Sequence, residues 1–68
     1  MSVGRVTEIT ASSPKGFEDA VRVGIDRASQ TLRGISGAWI KEQYVDIKDG
    51  KIQDYRVNML VTFILEDN

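Results

Sequence analysis

Four stretches of the chain carry a regular pattern of apolar and polar positions. Residues 3–10, VGRVTEIT, are rich in β-branched types and predict a first strand. Ala11-Ser12-Ser13-Pro14 ends it. A helix is expected over about 14–33, with Ser13 as its cap and Pro14 in the first turn. Phe17, Ala20, Val21, Gly24, Ala28, Thr31 and Leu32 fall at helical spacing and form one apolar stripe. Glu18 and Arg22 stand four apart on the polar side and predict an ion pair. Gly34 is the expected helix-terminating residue. Gly24 in mid-helix costs about 1 kcal/mol against Ala. Its presence predicts a close approach of helix to sheet.

The second half reads as two strands, 37–47 and 51–65, joined by Lys48-Asp49-Gly50-Lys51. Asp-Gly between two strand patterns is a strong hairpin signal. In the second strand, strict alternation places Gly37, Trp39, Lys41, Gln43, Val45 and Ile47 on one face. It places Ala38, Ile40 and Tyr44 on the other. In the third, Tyr55, Val57, Met59, Val61, Phe63 and Leu65 alternate with Arg56, Asn58, Leu60, Thr62 and Ile64. The order is β-α-β-β: an α+β subunit with a three-stranded antiparallel sheet around one helix.

Length and composition narrow the rest. The 68 residues are expected to form a single domain, 1–68. A chain this short buries only about 60% of its unfolded surface. Its usual supports are disulfides, a metal or oligomerisation. There is no Cys and no His, which excludes disulfides, thiolate zinc sites and imidazole ligation. Apolar residues on the second sheet face, with Trp39 among them, favour oligomerisation. A net charge of −1 with dispersed basic residues argues against a nucleic-acid partner. No apolar run approaches the length of a membrane span, and no signal-peptide core opens the chain, so a cytoplasmic protein is expected.

Candidate chemistry gathers on the Trp39 face. Trp39 can stack a planar ligand or pack at a subunit interface. Arg56 can hold a phosphate or carboxylate. It can equally form an intersubunit salt bridge with Glu42, Asp46 or Glu66. Gln43 and Asn58 can bond a heterocycle edge or stand in solvent. Asp46-x-x-Asp49-Gly50 lacks the full calcium loop and is read as a turn. No nucleophile with a base partner and no phosphate loop is present, so an enzyme is not expected and no catalytic residue is assigned.

The element order, the Ser12-Ser13-Pro14 entry, the helix end Arg27-Ala28-x-x-Thr31-Leu32 and the closing Val61-Thr62-Phe63-Ile64-Leu65-Glu66 resemble the dodecins. The likeness runs from Val6 to Glu66. It implies a hollow homododecamer that binds and stores flavins (riboflavin, FMN or FAD) without turnover. In that family a Trp early in the second strand stacks the flavin ring, and a Gln in the third binds its edge. Here those positions hold Gly37 and Arg56, and Glu42 matches an acidic residue used for the ribityl chain. Trp39 lies two residues further on the same face, displaced by about 6.5–7 Å. The resemblance implies Trp39 for stacking, with Arg56 and Gln43 for polar contacts and a preference of Arg56 for phosphorylated flavin. Ala38 to Gln43 and Tyr55-Arg56-Val57 look closer to a calcium-binding dodecin branch that lacks the stacking Trp. The alternatives are thus a calcium-binding or other non-flavin dodecin, or a shell without a ligand.

Overall fold

The computed structural model describes residues 3–65. The chain runs β1 (Val3–Ser13), α1 (Phe17–Ala28), β2 (Ile35–Lys48) and β3 (Lys51–Leu65). Glu66, one of the partners expected for Arg56, lies outside the described residues. All pairing is antiparallel and β3 is central, in the order β1-β3-β2. The expected α+β architecture is thereby met.

The helix stands on β1 and β3. Twelve helical residues extend about 18 Å, whereas the fifteen of β3 extend about 50 Å. The molecule measures 54 × 19 × 13 Å, so the β2–β3 hairpin overhangs the helix. The core is small: Ala20 from α1 against Val57, Met59 and Val61 of β3, with Ile9, Ala11, Phe17, Val21, Ile25 and Ile35 around them. Phe17 meets Tyr55 edge to face, with centroids 5.1 Å apart. The odd-numbered face of β3 is therefore the helix face, as its alternation predicts. Gly24 is buried where α1 crosses the sheet. A Cβ there would stand 2.6 Å from Met59 Cε and 2.9 Å from Ala11 Cβ, so the expected close approach is real.

The hairpin turn also matches. Asp49 and Gly50 both have positive φ (54° and 76°), the left-handed pair that a two-residue turn needs. The helix ends do not match. The strand continues through Ser13, and α1 begins only after Gly16. Ser13 does not cap the helix backbone. Its hydroxyl donates to Asp19 Oδ2 at 2.6 Å and accepts from the Lys15 N–H at 3.0 Å. At the other end α1 stops at Ala28 and loosens into turns that reach Leu32. Gly34 is left-handed (φ 73°) for another reason: the loop there passes over Ile64, whose N–H donates to the Gly34 carbonyl at 2.9 Å. Arg22 pairs with Asp19 at 2.6 Å and with Asp26 at 3.3 Å rather than with Glu18.

The Ser13 hydroxyl, and then Arg22, hold the Asp19 carboxyl below its ordinary pKa. A depressed carboxyl stabilises the fold above its unfolded pKa, near 4, and loses that contribution as pH falls through the folded value. Urea midpoints are therefore expected to drop as pH is lowered below about 4. Ser13→Ala should flatten that drop; an unchanged slope would sink this assignment.

Among the described residues no helix is long and apolar enough to cross a membrane.

Candidate functional site

Side chains directly opposite each other on antiparallel strands share a face. The register therefore fixes what stands beside Trp39. Trp39 pairs with Leu60, and Leu60 with Glu8, making one row across the sheet face that points away from α1. Gly37, Thr62 and Val6 form the row on one side. Glu42, Asn58 and Thr10 form the row on the other, followed by Tyr44, Arg56 and Ser12. We call this the outer face.

Strict alternation fails in β2 at this point. Ile40 pairs with Met59 and Glu42 with Asn58, so Lys41 is an extra residue in a β-bulge. The bulge reverses the parity of everything after it. Gln43 is now opposite Val57 on the helix face, not beside Trp39 as alternation predicts. Tyr44, expected on the far face, joins Trp39. Glu42 joins it as well. Lys41 also serves the outer face, since its Nζ lies 3.4 Å from Glu8 Oε2.

Trp39 is 66% exposed and Tyr44 59%. A Cβ at Gly37 would meet open space, so the β2 position next to the indole on this face is bare. The polar groups around them are tied down. Asn58 Nδ2 donates to Glu8 Oε2 at 2.6 Å, and Thr10 Oγ1 donates to Asn58 Oδ1 at 3.3 Å. The bond from Asn58 and then the charge of Lys41 lower the Glu8 pKa. Arg56 Nη2 donates to Asp46 Oδ2 at 2.9 Å within the same chain. Its guanidinium lies 5.4 Å from the Tyr44 ring centroid. Of the partners expected for Arg56, Asp46 is the one it meets, and the bridge is internal. It answers a like-charge contact, because Asp46 stands directly opposite Asp54.

The arrangement can do two things. It offers an exposed indole beside a bare strip of sheet, suited to a planar apolar ligand. Carboxylates and two paired cations stand in the Trp39 row and beyond it, on the side away from that strip. Of the sequence-predicted site residues, Trp39, Gly37, Glu42 and Arg56 come together and Gln43 is excluded. Tyr44, Glu8 and Lys41 were missed as members of the site. The bulge brings Tyr44 to this face and the β1–β3 register brings Glu8, and no residue pattern within one strand marks either.

A groove of about 520 Å³ opens on the other side of the sheet, between α1 and β1, lined by Ile9, Ala11, Val23, Gly24, Ala28 and Leu32 among others. It is apolar and lies across the sheet from the indole.

Comparison with known proteins gives a consistent picture. The profile of the Dodecin family matches residues 3–66. The dodecin of Thermus thermophilus is 31% identical over 65 residues, which are 96% of this chain and 94% of that protein. The solved structure of the dodecin from Streptomyces davaonensis superposes with a TM-score of 0.93 at 39% identity, covering 97% of each chain. The calcium dodecin of Mycobacterium tuberculosis superposes with a TM-score of 0.82 at 31% identity, over 98% of this chain and 96% of that one.

Proposed function

The chain belongs to the dodecin family, and from that premise we propose that it assembles as a homododecamer that binds and stores a flavin without turning it over. The observation that carries the reading is the exposed Trp39 beside the bare strip at Gly37, on the outer face of a dodecin subunit. An isoalloxazine stacked on the indole would extend over Gly37. Its side chain would then run back past Glu42 toward Arg56 and Tyr44, which stand in the rows on the other side of Trp39. The exposed Ile40, Ile47 and Ile52 of the overhanging hairpin give the subunit apolar surface to bury between copies. The shell is taken to be cytoplasmic, which a cysteine-free composition suits.

Trp39 is the sole tryptophan, so its fluorescence reports the site directly. Riboflavin is expected to quench it on titration. The purified protein should run far above the 7.6 kDa of one chain in gel filtration. Trp39→Ala should weaken riboflavin binding by about five- to 150-fold, followed by the flavin's own fluorescence, as loss of a stacking platform worth about 1–3 kcal/mol. A monomer, or quenching absent at high riboflavin concentration, would refute the proposal.

The likeness to a calcium dodecin supports a second reading, a shell that holds calcium. Among the described residues of one chain, no group of three or more carboxylates is placed to hold a metal ion. A calcium site would then draw oxygen donors from several subunits. Calcium titration by calorimetry, with and without riboflavin, separates the two readings.

A further inference from the structure

The outer face carries a charge pattern that bears on which flavin it takes. Among the described residues four carboxylates stand on it: Glu8, Glu42, Asp46 and Asp54. Two cations answer them, Lys41 and Arg56, leaving a net −2 among the described residues of this face. Neither cation is free. Lys41 is held by Glu8, and Arg56 by Asp46. Glu42, in the row between Trp39 and Tyr44, has no ion pair among the described residues. An isolated Arg56 would recruit a phosphate. The Arg56 seen here already has an anion on its fork and a ring against its face. A phosphate arriving beside it must compete with Asp46 and enter a field of excess negative charge.

We propose that the outer face selects the uncharged form of its planar ligand and discriminates against the phosphorylated form. This inference rests on the flavin-binding reading above and names its ligand class. Riboflavin and FMN share one ring system and differ in a terminal phosphate that carries about −1.5 to −2 charges at neutral pH. A difference between them therefore reports the charge field and not the stacking. The field acts over a Debye length of about 10 Å at 0.1 M salt and about 3 Å at 1 M.

The test is a pair of titrations of the purified protein, riboflavin against FMN, followed by Trp39 fluorescence at low and high salt. Riboflavin is expected to bind several-fold to about tenfold more tightly at low salt, with the gap closing at 1 M. Asp46→Asn removes one carboxylate and frees the Arg56 fork. It should raise FMN affinity at least threefold relative to riboflavin, on the scale of one charge interaction at a solvated surface. Quenching by both flavins with FMN equal or tighter at low salt would overturn the inference while leaving flavin binding intact. So would a riboflavin-to-FMN ratio unmoved by Asp46→Asn. Quenching by neither flavin would remove the binding reading, and this inference with it.

Discussion

Met59→Ala is expected to lower subunit stability by about 2–5 kcal/mol, the range for truncating a buried large side chain to Ala. Met59 is the largest of the fully buried side chains. It touches both layers: its neighbours on β3 are Val57 and Val61, and its Cε reaches the point where Gly24 admits the helix to the sheet. Truncation leaves a void within the buried cluster of Ala20, Val57 and Val61 that a two-layer subunit is poorly able to collapse. Small domains have only about 5–15 kcal/mol in total, so this one change removes a large part. Urea denaturation at fixed protein concentration measures it, since assembly adds stability by mass action. Met59→Leu, nearly volume-conserving, should cost less than about 1.5 kcal/mol. Equal small losses for both variants would place the stabilising core at subunit contacts instead.

Gly24→Val is expected to cost about 2–3 kcal/mol by overpacking. The added Cβ alone would lie inside contact distance of Met59 Cε and Ala11 Cβ. The Met59 terminus can swing aside. Ala11 Cβ is fixed to the strand and cannot. Two further methyl groups force α1 away from β1 and β3 and open the core beneath it. Gly24→Ala should cost less, because Ala regains about 1 kcal/mol of helix propensity. A double-mutant cycle with Ala11→Gly isolates the clash: the second change should reduce the cost of Gly24→Ala. A stabilising Gly24→Ala in the native background would mean that the helix does not press on Ala11 and Met59.

Residues whose roles depend on near neighbours were legible. Asp49-Gly50 specifies a turn by its own backbone preferences, and its positive φ angles follow. Gly24 betrays a close contact because nothing else justifies a glycine in mid-helix. The alternation of β3 holds from Asp54 to Leu65, and its odd positions face the helix as expected. Ser13 shows where that kind of inference stops. A Ser before a Pro suits a cap, but this hydroxyl finds the Asp19 carboxylate and leaves the helix to start at Phe17. A side-chain partner displaced the backbone one, and local sequence offers both.

The site divides along the same line. Trp39, Gly37, Glu42 and Arg56 could be chosen from the sequence and its likeness to the dodecins. Their neighbours could not. Alternation counts residues, and one extra residue at Lys41 turns Gln43 toward the helix face and Tyr44 toward Trp39. The order of elements, the hairpin, the core face of β3 and the need for a bare position at Gly24 are all written in the chain, because each follows from local preference or a fixed period. Which side chains share the outer face, and that Arg56 is already paired with Asp46, emerges only in the folded subunit. Those outcomes depend on register between separate strands, which hydrogen bonding across the sheet sets and no single strand contains.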